Sequence, residues 1–217
     1  MIAIPAMLGL MLLAVPLVST LFQHGRFTAF DTHMAALSVF GLSFGLPAFA
    51  LVKVVLPAFY ARQDTKTPVR AGVASLVANM VFNGLFLAVL YLLWVPQSLR
   101  DGPVLTALAQ VPGLHFALGL ASAAASYLNL ALLWHWLRKA GVYERKPGWG
   151  KFLLRLGAAC SAMTLSLLAG LRWAPDFTTV AIGERILWLG LLVGGGVTVF
   201  FASMVALGFR LSDLKEH

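Results

Sequence analysis

Six long apolar runs, joined by short polar connectors, leave this chain few ways to fold. They cover residues 1–22, 32–59, 69–95, 114–137, 152–173 and 185–209. Each has the roughly 20 residues an α-helix needs to cross about 30 Å of hydrocarbon. The runs are continuously apolar and lack the alternation of membrane strands. Only helices satisfy their own backbone groups in lipid, so the runs predict six transmembrane helices. Composition agrees: 60% of residues are hydrophobic and 11% charged, against about 25% charged in soluble domains. Mean hydropathy is +0.87. The fold class is therefore an all-α integral membrane protein.

Charge sits in the connectors and gives the orientation. Arg62, Lys66 and Arg70 follow the second run, Arg138, Lys139, Arg145, Lys146 and Lys151 the fourth, with Arg155 just after, and Arg210 and Lys215 the sixth. These regions alternate so as to share one face, which the positive-inside rule makes cytoplasmic. The opposite connectors hold only Arg26, Arg100, Arg172 and Arg185, mostly with acidic neighbours. Both ends of the chain are thus expected on the cytoplasmic side of the membrane. The net charge of +8 suits anionic lipid headgroups, and no basic-aromatic surface tracks a nucleic acid. The start, Met-Ile-Ala-Ile-Pro, has no basic region ahead of its apolar run, so it is no ordinary secretory signal. That abrupt opening suggests a fragment of a longer protein.

Enzymatic machinery is not legible. There is no Walker-type phosphate loop, no paired carboxylates in one run, and no metal-ligand spacing among His24, His33, His115 and His135. Cys160, the single cysteine, reads as a small buried hydrophobe. Pro5, Pro16 and Pro47 predict kinks, and Gly194-Gly195-Gly196 predicts close helix packing.

Three polar features stand out. Lys53 lies inside the second run, as the exception to otherwise uncharged spans; a central lysine costs about 2.5–3.5 kcal/mol on insertion scales. It faces either a polar cavity, where it attracts an anion, or snorkels to the headgroups. Asn79 and Asn83 share one helical face, and Ser122, Ser126 and Asn129 give the fourth run a polar stripe. Interhelical hydrogen bonding and a cation site of amide oxygens are the two readings there. In Arg62-Gln-Asp64-Thr-Lys66-Thr67-Pro68, Asp64 or Thr67 is placed to cap the next helix, with Pro68 in its first turn.

The stretch from Lys53 through Pro57, Phe59, Tyr60, Arg62, Asp64, Lys66 and Thr67 to Pro68 resembles the signature of the MurJ (MviN) lipid II flippase family. Phe22-Gln-His-Gly25-Arg26-Phe27-Thr28-Ala-Phe30-Asp31 resembles that family's preceding outer loop. Asn83, Gly119-Leu-Ala, Asn129, Leu137-Arg138-Lys139, Pro147-Gly148-Trp149 and Leu207-Gly208-Phe209 fit its later helices. The resemblance implies a fourteen-helix exporter-type (MOP superfamily) fold, with 1–140 as the last four helices of the second lobe. It makes 141–217 two additional helices bordering a lipid-tail groove. It implies a non-enzymatic flippase that moves lipid II, an undecaprenyl-diphosphate precursor of peptidoglycan, to the periplasmic leaflet for cell-wall synthesis. Lys53 matches a lysine of the tenth helix of that fold. The partners implied are lipid II, membrane lipids and an N-terminal half of the transporter. No cofactor or metal is implied beyond sodium coupling in some members, at a helix matching the third run. Two alternatives stay open: an exporter of another polyprenyl-linked oligosaccharide or of small cations, and a non-transporting scaffold for cell-wall enzymes.

Overall fold

A computed structural model describes residues 1–97, 113–141 and 149–208. The expectations on Arg100, Arg145, Lys146, Pro147, Gly148, Phe209, Arg210 and Lys215 lie outside those residues. The described residues form eight helices: α1 (Ala3–Leu12), α2 (Ala14–Phe22), α3 (Ala29–Ser43), α4 (Leu46–Tyr60), α5 (Lys66–Trp94), α6 (Gly113–Lys139), α7 (Trp149–Trp173) and α8 (Ile182–Ala206). The last four are each long and apolar enough to cross a membrane alone. The first two apolar runs become bent pairs: α1 and α2 meet at 70°, α3 and α4 at 43°. Counting each pair as one span gives six.

The bends have a local cause, and it differs from a simple proline kink. Pro16 and Pro47 each sit in the first turn of the helix after a break. A proline there lacks only a donor that the helix start leaves unused anyway. What the ring prevents is continuation of the helix before it, because the residue four earlier loses its bond. Pro5 lies in the first turn of α1 and bends nothing. Pro57 is the proline inside a helix; having no N–H, it cannot serve the carbonyl of Lys53.

Residues 1–29 and 145–217 form one compact unit and residues 30–144 another. In the first unit, α7 and α8 pack along each other and against α1 and α2. Their core holds Leu156, Cys160, Met163, Leu167, Leu192, Phe200 and Met204. Cys160 is buried and free, as its sequence context predicted. In the second unit, α6 packs along α5 and α4. Ala71 meets Leu133 and Leu137 in one cluster with Val55 and Phe59. The basic end of α6, Arg138 and Lys139, therefore lies beside the α4–α5 turn with Arg62, Lys66 and Arg70.

Close backbone packing occurs where the sequence did not signal it most loudly. At Gly194 and Gly195 an added Cβ meets nothing within 4 Å, and at Gly196 it meets only the Leu167 side chain, at 3.1 Å. The tight crossing is between α3 and α6. A Cβ on Gly41 would come 2.7 Å from the Phe116 carbonyl oxygen; one on Gly119 would strike the Ser38 carbonyl; one on Gly45 would reach the Ala123 Cα at 3.0 Å. Gly41 and Gly45 form a small-xxx-small pair on α3, matched by Gly119 and Ala123 on α6. Ser38 Oγ donates to the His115 carbonyl at 3.1 Å across this crossing. The obstacles are backbone atoms, so Gly119→Ala should cost about 1–3 kcal/mol and lower the melting temperature in detergent. Gly194→Ala should be neutral or gain up to about 1 kcal/mol from helix propensity.

Candidate functional site: a lysine face, a capped turn and an apolar groove

Lys53 lies mid-way along α4 and is exposed. Phe49, Lys53, Pro57 and Tyr60 recur at helical spacing and are all exposed, so they form one face of α4. The opposite face, with Val55 and Phe59, packs into the unit's core. Among the described residues no hydrogen bond or ion pair engages the Lys53 amine. Its own carbonyl lacks the donor that Pro57 would have supplied. Lys53 is not the sole charge in the helices, contrary to the sequence reading. Arg155 lies within α7, and Arg185 within α8 is 8% exposed.

The α4–α5 turn is built in two moves. Gln63 takes a left-handed conformation, φ 57°. Its N–H donates to the Tyr60 carbonyl at 2.9 Å, and the Asp64 N–H donates to the Phe59 carbonyl at 3.0 Å. That pairing is a Schellman closure, which usually places glycine where Gln63 stands. Asp64 then serves the next helix: the Thr67 N–H donates to its Oδ1 at 3.0 Å. One residue thus closes α4 with its backbone and caps α5 with its side chain. The hydrogen bonds from Thr67 hold the Asp64 carboxyl below the usual carboxylate range. Pro68 is buried in the first turn of α5, as expected, while Arg62 and Lys66 are exposed.

The polar stripe of α6 was expected to bond between helices, and its serines do not. Ser126 Oγ donates to the Ser122 carbonyl at 2.7 Å and Ser122 Oγ to Leu118 at 3.3 Å, both within the helix. Asn83 Nδ2 donates to Asn79 Oδ1 at 3.3 Å, also within one helix. The interhelical bond is made by Ser75, whose Oγ donates to the Ala125 carbonyl at 2.9 Å. Sequence reading missed it, because a single serine in a long apolar helix carries no pattern. Asn83 Oδ1 and Asn129 Oδ1 are buried without partners. Asn79 Oδ1 is already an acceptor, and among the described residues no cluster of three metal-ligating side chains forms. A hard cation wants several oxygen ligands and usually a carboxylate, and no step is routed through sodium.

The first unit holds an apolar groove of about 340 Å³, walled by α1 and α2 on one side and α7 and α8 on the other. Pro5, Gly9, Leu13, Leu167, Leu192 and Gly196 are among its lining residues. Near one end, Arg185 fastens the two walls. Its Nε donates to the Val180 carbonyl at 2.9 Å, and its Nη1 to the carbonyls of Ser19 at 3.0 Å and Gln23 at 3.3 Å. Nη2 reaches the Thr178 carbonyl at 3.4 Å. A cation there suits the negative C-terminal end of α2. In the sequence Arg185 reads as one more loop charge, and nothing local marks it as a clamp.

A family model described as "Lipid II flippase MurJ" matches residues 1–185. The chain belongs to the MurJ family. It is 39% identical over 216 residues to a probable lipid II flippase MurJ of Vibrio cholerae, covering 99% of this chain and 36% of that protein. It is 31% identical over 217 residues to a probable lipid II flippase MurJ of Haemophilus influenzae, covering 100% and 37%. It is 30% identical over 224 residues to a lipid II flippase MurJ of Burkholderia cenocepacia, covering 100% and 38%. The chain spans a little over a third of the length of these curated relatives. As a MurJ-family member with four to six candidate spans, it is a multi-pass membrane protein.

The turn motif yields a pH-dependent expectation. Asp64 has a lowered folded-state pKa, so its cap contributes fully above the unfolded carboxylate pKa. The contribution is lost as pH falls through the lower folded value. Asp64→Ala should therefore destabilise the protein at neutral pH and have no further effect in strong acid. Gln63→Gly should relieve the left-handed conformation and gain about 1 kcal/mol. Thermal melts of both variants across pH check the pair.

Proposed function

We propose that this chain supplies the last six spans of a fourteen-helix exporter-type flippase, which moves lipid II from the cytoplasmic to the periplasmic leaflet of the bacterial inner membrane. In this reading residues 1–140 belong to the second lobe, and 141–217 are two additional helices beside the lipid tail. The protein is a transporter and makes or breaks no covalent bond. The basic connectors and both chain ends lie on the cytoplasmic side. The observation that carries the reading is the apolar groove, joined to family membership over residues 1–185.

The physics divides the work between tail and head. Bilayer hydrocarbon is as apolar as the groove, so burying a prenyl chain there yields little driving force. The groove guides the tail, and affinity must come from charge acting on the diphosphate. Lys53 is placed for that role. Its face of α4 is exposed, and among the described residues its amine is uncommitted. Alternating access needs two bundles about a shared site, so the Lys53 face is the one that meets the N-terminal lobe. There the lysine adds positive potential to a cavity that receives the headgroup.

The test is rescue of cells depleted of their own flippase, with the N-terminal lobe supplied. Lys53→Ala should slow flipping by about tenfold, a barrier change of ~1.4 kcal/mol, while Lys53→Arg keeps most activity. Equal activity in both variants, read by leaflet accessibility of lipid II, removes Lys53 from the mechanism. Stable assembly without any rescue would point to a scaffold instead.

A further inference from the structure

The α4–α5 turn is more elaborate than a membrane connector needs. Orientation asks only for positive charge on one face. The turn instead holds a fixed backbone shape at some cost. Gln63 stands in the left-handed region, φ 57°, where glycine is favoured and most side chains are strained. It is exposed, and among the described residues nothing bonds its side-chain amide. The Schellman closure and the Asp64 cap fix the backbone beneath that amide at the tip of the turn.

Charge surrounds this tip, all of it within the 30–144 unit. Arg62 precedes Gln63, and Lys66 and Arg70 follow one turn apart on α5. Cations at that spacing repel, and the start of a helix disfavours them. The first turn of α5 has no acidic residue to offset this. Leu137 packs in one cluster with Phe59 and Ala71, which brings Arg138 and Lys139, at the end of α6, to the same corner. All these cations are exposed, and no hydrogen bond or ion pair among the described residues engages their side chains. Asp64, the carboxylate of this corner, is committed to Thr67, with Arg62 the least of the influences on it.

We propose that this corner docks an acidic segment of a partner protein. Arg62 and Arg138 take its carboxylates in paired bonds, and Lys66, Arg70 and Lys139 add point charge. The Gln63 amide, both donor and acceptor, bonds the segment's backbone. A bilayer surface is the competing occupant. It offers charge without fixed geometry, and a cation at position 63 would serve it better than a neutral amide in a strained conformation. A peptide has backbone groups at set positions, which a preorganised amide between cations matches. α5 is 29 residues long, about 43 Å, and outruns the roughly 30 Å of hydrocarbon. The turn at its start therefore has room to stand clear of the lipid. In the proposed orientation the partner is cytoplasmic. The site itself is independent of what the transporter carries.

The experiment places the full 217-residue chain in phosphatidylcholine nanodiscs and titrates a labelled Glu-Ser repeat peptide, read by fluorescence anisotropy. Both membrane faces are open there, so the result does not depend on orientation. Arg62→Gln combined with Arg138→Gln should weaken binding by about tenfold or more. Arg26→Gln combined with Arg172→Gln, which removes the same charge from exposed positions in the other unit, should leave it unchanged. Gln63→Gly should weaken binding by about threefold or more while the melting temperature holds or rises, which separates a lost contact from a lost fold. Wild-type binding in Gln63→Gly, or in the Arg62 and Arg138 variant, overturns the docking site. So does an equal loss in the Arg26 and Arg172 variant, which would leave only net charge. Complete displacement of the peptide when phosphatidylglycerol is added to the nanodisc also overturns it, and makes the corner a lipid contact.

Discussion

Inside hydrocarbon, a backbone carbonyl without a donor has no water to turn to, and this structure is shaped around that constraint. Several carbonyls in and after its helices take a donor from a side chain. Ser19 and Thr20 both donate to the Pro16 carbonyl, at 3.1 and 2.6 Å. Arg185 covers the carbonyls at the end of α2, and Arg155 covers Gly208 after α8. A buried acceptor left unserved costs about 1–3 kcal/mol, comparable to a sizeable part of a domain's net stability. Arg185 therefore holds the C-terminal end of α2 against α8.

Most of the fold was legible because lipid simplifies the code. Long apolar runs fixed the membrane class and the helix positions to within a few residues; run 114–137 became Gly113–Lys139, for example. Pro68 and Asp64 fell where capping rules put them. The bends were harder to read. Proline signalled them, yet Pro5, Pro16 and Pro47 act as helix starters, and the breaks lie before Pro16 and Pro47. Glycine misled more. A run of three on α8 attracted the packing assignment, while single glycines at 41, 45 and 119 make the close crossing. Their spacing is ordinary until the partner helix is known.

The site was legible only in part, for the same reason. Lys53 announces itself by its cost in lipid, and it is exposed on α4. Arg155 and Arg185 carry a similar cost but looked like connector charges, because helix ends are uncertain by a few residues. Polar stripes on α5 and α6 suggested bonds between helices; Ser122, Ser126 and Asn83 instead donate within their own helix, while the side-chain oxygens of Asn83 and Asn129 stay without partners.

The clamp that holds the groove's wall can be observed without any substrate. Amide hydrogen exchange on Arg185→Leu, which keeps the apolar volume and removes the donors, reports it residue by residue. Exchange over residues 14–23 and 176–185 should quicken by about tenfold or more, as local opening becomes easier, while α5 and α6 keep their wild-type rates. Wild-type protection throughout α2 in that variant would contradict the claim that the arginine holds the broken helix in place.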